Sequence, residues 1–272
     1  MFYGGFTMRF FKLFILLGLV SIFYVEENNY VEVTKNIISS DKIKKDLRVV
    51  QISDTHNKIV FPDNKFLIKK IKNLSPDIII HTGDFINTYE SLDNSVKLIK
   101  ELSKIAPVYA IQGNHDIYAN RFDEIRETLT DAGLTFLENE ELIFNENNIN
   151  FIGVLDSFKS EVKYLDSLKV DDSFYNVLLI HRPEYFKMLE DNRFDLFLSG
   201  HTHGGHWILP FIGSLMTSDR KLFPGKWYGE KYYNETKGFI NRGIGGPQFP
   251  PRINNHPEVS FYLFKSDKNS TK

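Results

Sequence analysis

The chain has 272 residues, with 33 Lys and Arg against 35 Asp and Glu, and its formal net charge of -2 provides no global field for nucleic acid or an anionic surface. It is long enough to bury a sizeable core, and one large domain is expected after a short N-terminal segment. Cysteine is absent, which excludes disulfides, thiolate metal ligands and a cysteine nucleophile while leaving the compartment open.

The N-terminus differs from the rest. Leu13 to Val25 carries no charge, is preceded by Arg9 and Lys12, and is followed by Glu26 and Glu27. Its length suits the apolar region of a signal peptide, roughly 7–15 residues, better than the roughly 20 residues of a full span. No small-x-small cleavage site follows, and Phe10, Phe11 and a snorkelling Lys12 can lengthen the run. Residues 1–29 are therefore expected to be a membrane anchor or uncleaved signal segment, favoured over a cleaved signal. The basic flank on its N-terminal side sets residues 30–272 on the extracytoplasmic side.

From Tyr30 the pattern becomes globular. Tyr30–Thr34 alternates as a half-buried strand, with a linker over 26–46 as the alternative, and Leu47–Ile52 reads as the next strand. Leu67, Ile68, Ile71 and Leu74 mark a helix over about 64–74, ended by Pro76. Ile78–His81 is a short β-branched run suited to a fully buried strand. The unit then recurs: a helix through Leu92, Val96, Ile99 and Leu102, a strand at Pro107–Ile111, a helix near 121–132, and strands near 134–137, 141–145 and 149–154. Tyr175–Ile180 is a further strand, followed by a helix at about 184–191 and a strand at 194–199. Residues 207–238 read as a long loop rich in aromatic and basic residues, including Arg220 and Lys221, and 239–242 and 259–264 as closing strands. Alternating strands and helices predict an α/β sheet with ligand groups at the carboxyl ends of its strands, and the β-rich second half predicts another sheet packed on the first.

Five clusters, each just after an expected strand, carry five of the eight histidines: Asp54 and His56; Asp84; Asn114, His115 and Asp116; His181; and His201 and His203 within Gly200-His201-Thr202-His203-Gly204-Gly205-His206. A sheet brings strand ends together, so these distant positions can meet on one rim. Imidazole nitrogen with carboxylate and amide oxygen suits manganese, iron or zinc better than calcium or magnesium. Seven such groups exceed the needs of one tetrahedral ion but match two ions sharing a carboxylate. Two dications against the carboxylates of Asp54 and Asp84 leave a positive site that attracts a phosphate oxyanion.

The motifs Asp54-Thr55-His56, Gly83-Asp84, Gly113-Asn114-His115-Asp116, His181 and Gly200-His201-Thr202-His203, in that order, resemble the calcineurin-like metallophosphoesterase superfamily over roughly residues 47–265. The N-terminal apolar segment, Gly-His-Thr-His-Gly-Gly, Leu209–Gly213 and the Gly243-Ile244-Gly245 to Val259 region are similar to its YkuE/YaeI-like membrane-associated bacterial phosphodiesterases, although His206 stands where that branch more often has Gln. The resemblance implies an α/β fold, a two-sheet β-sandwich of mixed strands flanked by helices, and two divalent metal ions, with manganese ahead of iron or zinc. It implies that Asp54, His56 and His203 hold one metal, that Asn114, His181 and His201 hold the other, and that Asp84 bridges. His115 would face the substrate phosphate, oriented by Asp116. The expected reaction is hydrolysis of a phosphomonoester or phosphodiester, lipid-linked or of the cell envelope, by attack of a metal-bridging hydroxide. The alternatives are pyrophosphate cleavage of UDP-2,3-diacylglucosamine in lipid A synthesis and, in a different class, a non-catalytic metal-binding scaffold. His81 is expected as a hydrogen-bonded core group beside the ligands and His256 at the surface. His206, Arg182 and Arg252 are each open between a substrate contact and a structural role.

Overall fold

The computed structural model describes residues 3–87, 91–156, 164–165, 168–186, 193–216, 222–246 and 251–267. Two six-stranded mixed sheets face each other. The first has the order β1 (Glu32–Ser40), β15 (Glu258–Ser266), β2 (Leu47–Ile52), β3 (Ile78–Thr82), β4 (Val108–Ile111), β5 (Leu134–Phe136). The second has the order β13 (Gly229–Tyr233), β14 (Thr236–Ile240), β9 (Leu196–Ser199), β8 (Tyr175–Leu179), β7 (Ile149–Gly153), β6 (Glu140–Phe144). β2 to β5 are mutually parallel, as are β7, β8, β9 and β14, so each sheet gathers several carboxyl ends at one rim.

The period-2 geometry of a strand sends neighbouring side chains into different cores. In β3, Ile79 joins the core under the helices α2 (Lys65–Asn73), α3 (Asp93–Ser103) and α5 (Phe122–Asp131), while Ile78 and Ile80 enter the core between the sheets. In β9, Leu196 and Leu198 meet that same middle core, and Phe197 faces out to stack on Phe186 with ring centroids 4.3 Å apart. Both faces of the central strands are thus apolar, which is why they read as continuous hydrophobic runs.

The expected Tyr30 strand begins later and runs further, pairing with β15 from Glu32↔Glu258 to Ser40↔Ser266, so the linker alternative does not hold. The long loop expected over 207–238 is instead built from β10 (Ile208–Leu209), β11 (Gly213–Met216) and β12 (Leu222–Gly225), a small antiparallel sheet, and then β13 and the start of β14. Its strands are short and mostly half-buried, so they carry no alternation to read. Arg220 and Lys221 lie outside the described residues. After β8, a helical turn at Pro183–Phe186 is described, and the remainder of the expected 184–191 helix lies outside the described residues. A short α4 (Asn114–Tyr118), within a motif rather than a hydrophobic run, was not anticipated.

α1 (Tyr3–Asn29) precedes the sheets. From Phe11 to Val25 its side chains are exposed, and it joins the domain through its last turn. There Lys58 Nζ donates to the Asn28 carbonyl, Asn28 Oδ1 accepts from Arg252 N, and Asn29 Oδ1 accepts from Phe61 N. Among the described residues no helix is long and apolar enough to cross a membrane, so the expected membrane segment stands only as an exposed apolar helix.

Phe151 is fully buried between the sheets, edge-on to Phe144 and Phe264. Phe151→Ala should remove about 3–5 kcal/mol of stability, measured as a lower urea midpoint with an unchanged slope.

Candidate metal centre

All seven candidate ligands lie just beyond strand ends. Asp54 and His56 follow β2, Asp84 follows β3, Asn114 follows β4, His181 follows β8, and His201 and His203 follow β9. The first sheet contributes four of them and the second three, across the rim between the sheets. Their ligand atoms form two groups, Asp54 with His56 and His203, and Asp84 with His181 and His201, each with its atoms within 4.8 Å of one another. Asn114 Oδ1 stands 3.2 Å from His181 Nε2, which adds it to the second group.

Asp84 joins the two. Its Oδ1 accepts from His115 N at 2.8 Å, while its buried Oδ2 has no hydrogen-bond donor. That orphaned oxygen lies 3.3 Å from His181 Nε2 and 3.7 Å from His56 Nε2. The ring nitrogens are oriented from behind. His181 Nδ1 is 2.7 Å from the Thr82 carbonyl and His56 Nδ1 is 3.2 Å from the Ile86 carbonyl, so each donates there and leaves Nε2 as the nitrogen that faces inward, for a metal or, on His181, a proton. His56 Nε2 and His203 Nε2 face each other at 3.2 Å. Lone pairs and an unpaired carboxylate oxygen converging in a buried space repel unless a cation stands among them, so the donor set fits divalent metal.

Burial depresses the imidazoles, His56 to about 4 and His201 and His203 well below their ordinary range, and neutral rings are the ligating form. His181 is the exception. Burial opposes its charge, yet the carboxylates of Asp84, Asp54 and Asp156 together raise it well above the usual value, so a proton serves where a metal would. Burial is also the largest effect on Asp54, raising it to about 7, with Asp84 adding to the rise.

The backbone is bent to make this approach. Asp54, His56, Asp84, His201 and His203 all have positive φ, between 46° and 69°, an arrangement that costs non-glycine residues of order 1–3 kcal/mol each. Gly113 and Gly200 serve by lacking a side chain: a Cβ on Gly113 would collide with the Asp84 carboxylate, and one on Gly200 with Ser53 and Asp54.

His115 lines a cavity of about 200 Å³ with His56, Asp84, His201 and His203, and its buried Nδ1 has no partner. The expected pairing of Asp116 with the His115 ring is not found. Asp116 accepts from the amides of Asp84, Phe85 and Gly113, because the α4 turn directs its carboxylate back toward the chain after β3. It positions the Asp84 backbone. His81 is a core group, bonded to Thr55 and Gly83 N and stacked on Phe85 at 3.8 Å. Arg182 pairs with Asp156, and Arg252 donates to the carbonyls of Arg242, Gly243 and Gly245. His256 is half-buried against Tyr30 rather than at the surface. Sequence reasoning passed over Glu184, with Oε1 3.7 Å from His201 Nε2, and Lys58 and Asn87 beside the ligands. For Lys58 the available signal was its place two residues after His56.

A model of the family described as calcineurin-like phosphoesterase matches residues 47–205. The chain is 30% identical over 262 residues to the uncharacterized metallophosphoesterase YkuE of Bacillus subtilis, covering 88% of this chain and 87% of that one. It is 31% identical to an uncharacterized metallophosphoesterase of Aquifex aeolicus, covering 89% and 95%, and 29% identical to the phosphodiesterase YaeI of Escherichia coli, covering 68% and 69%. The crystal structure of TT1561 of Thermus thermophilus shares the fold, with a TM-score of 0.50, 10% identity, and coverage of 73% of this chain and 90% of that one.

Protons and metal compete for the same atoms. Asp54, protonated below about 7, must lose its proton to bind metal, so Mn²⁺ affinity should fall as pH drops through 7, by about tenfold per unit for each proton displaced. Calorimetric titrations at pH 8, 7 and 6, in buffers of differing ionisation enthalpy, measure both the affinity and the protons released.

Proposed function

The chain belongs to the calcineurin-like phosphoesterase family and is a metal-dependent phosphohydrolase of the YkuE and YaeI branch, and from that premise we propose that it hydrolyses phosphodiesters at a centre of two divalent ions. In this reading Asp54, His56 and His203 would hold one ion and Asn114, His181 and His201 the other, with Asp84 available to both. The observation that carries it is Asp84 Oδ2, buried without a donor between His181 and His56. When bound, the ions supply Lewis acidity to the phosphoryl oxygens and a nucleophilic water near neutral pH.

The chain's own residues do the rest. Thr82 and Ile86 carbonyls keep His181 and His56 in the ligating tautomer. The His115 amide occupies one oxygen of Asp84 and leaves the other for the ions. Asp116 fixes the turn that carries Asp84. The His115 ring lines the cavity and in this reading donates a proton to the leaving oxygen or a hydrogen bond to the phosphoryl group. A scaffold without catalysis is disfavoured because none of the seven ligands is missing from the sequence.

We also assign residues 1–29 to attachment and 30–272 to the hydrolase. The exposed apolar surface of α1 from Phe11 to Val25 supports contact with a membrane, and with it a lipid-linked substrate. The basic residues ahead of the run support an extracytoplasmic domain, a side that disfavours a cytoplasmic nucleotide-lipid substrate of lipid A synthesis. A topology reporter fused after Ser266 should be active on the outer side, and activity on the inner side would reverse this assignment.

Purified protein with Mn²⁺ should hydrolyse bis-p-nitrophenyl phosphate and lose that activity on chelation. His115→Ala should lower kcat by about 10²–10⁴-fold while the protein still takes up metal. Unchanged kcat would remove His115 from the reaction, and no turnover with metal bound would sink the enzyme reading.

A further inference from the structure

A second cavity, of about 370 Å³, adjoins the metal centre and shares His56, Asn87 and His206 with the smaller one. Its lining is chemically one-sided. Arg252 contributes a guanidinium and Lys58 an amine that burial and the neighbouring Arg252 bring down to about 7, so that an anion placed here would favour its charged form; five asparagines contribute amides, and no Asp or Glu is among the described residues that line it. Among the described residues the carboxylates that act on Arg252, Asp54 and Glu258, lie outside the lining, and Glu27 near the end of α1 is buried, accepts from Asn255 N and lies 4.0 Å from His256. The guanidinium of Arg252 is buried among backbone carbonyls, whose dipoles solvate it without cancelling its charge. Lys58 likewise donates to two carbonyls, Asn28 and Ile244, and is given no carboxylate. Two basic groups held in one recess, each bound only to neutral acceptors, disfavour one another's charge and gain from an anion placed between them and the centre.

The wall has a second unexpected member. Tyr24, Asn28 and Asn29 of the last turns of α1 line the same cavity, so the N-terminal helix closes it as well as preceding the domain.

We propose that this cavity is a second anion subsite, in which Lys58, Arg252 and the end of α1 receive a further phosphate or carboxylate carried by the phosphoester whose phosphorus sits at the metal centre. The proposal rests on the phosphoesterase reading and deepens it: the preferred substrate is doubly anionic, and α1 contributes to its recognition. A carboxylate and a phosphate present the same charge and acceptor oxygens to these donors, so both sources belong to the test.

Calorimetry on the full chain loaded with Mn²⁺ separates binding from turnover. The probes are a dialkyl phosphate with one anionic group, a dialkyl methylenediphosphonate, and an alkyl phosphonoacetate ester with a free carboxylate. At least one doubly anionic probe should bind ten-fold or more tightly than the dialkyl phosphate, and the tighter one identifies the second group. Lys58→Met should collapse that ratio to within about two-fold, and Lys58→Arg should restore it. Asn28→Asp, which keeps the oxygen that accepts from Arg252 N and adds a carboxylate to the wall, should collapse it too, and decides the matter should Lys58→Met fail to fold. Equal affinities in the unmodified protein would overturn the proposal. So would a preference that survives both Lys58→Met and Asn28→Asp, since it would then arise at the metals alone. Failure to hydrolyse bis-p-nitrophenyl phosphate would sink the phosphoesterase reading while these binding results stood independently.

Discussion

A carboxylate oxygen without a partner, held in the interior between two groups of imidazoles, is the constraint on which the rest of the molecule depends. Asp84 Oδ2 is buried without a hydrogen bond, 3.3 Å from His181 Nε2 and 3.7 Å from His56 Nε2. Leaving such a group uncompensated costs several kcal/mol, and no folded protein tolerates it cheaply at the point where its two main layers meet. The His56 nitrogen facing it is oriented from behind as an acceptor and adds to the cost, and His181 is driven to hold a proton by the same carboxylate. A proton on His181 relieves part of this cost, and a divalent cation would reverse the sign of every one of these contacts.

The fold explains how so unfavourable a cluster is held. Parallel strands end together, and two sheets facing each other bring two sets of ends to a common rim. The apolar cores beneath that rim, one under the helices, one between the sheets and one outside the second sheet, fix the strand positions. With the strands fixed, the short loops that follow can be held in left-handed conformations, and five of the seven candidate ligands adopt one. Asp116 illustrates the division of labour. It accepts three backbone amides and so holds the loop that carries Asp84 against the turn that begins α4.

Much of this was legible in the sequence, for a physical reason. Strands buried on both faces need unbroken apolar runs, so β3, β4, β8 and β9 stood out, and the polar residues after each run could only be at strand ends. The division of the candidate ligands into two groups came from the family resemblance and not from the residues themselves. What escaped reading depends on contacts that have no local signature. β10 to β13 are short, half-buried strands whose pairing is set by neighbours. The carboxylate of Asp116 turns to the backbone because of the α4 turn, which no periodicity announces. Arg252 finds carbonyls instead of an acid, and Lys58 and the end of α1 meet only because the chain closes on itself across roughly 30 residues on one side and nearly 200 on the other. Sequence patterns report burial well and tertiary polar contacts poorly.

The central claim is that seven side chains from two sheets clasp a pair of ions across Asp84. Anomalous scattering at the manganese edge from crystals grown with Mn²⁺ tests it most directly. The account predicts two peaks about 3.5–4 Å apart, one against Asp54, His56 and His203 and the other against Asn114, His181 and His201, with an Asp84 oxygen between them. A single peak, or metal bound away from Asp84, would contradict it.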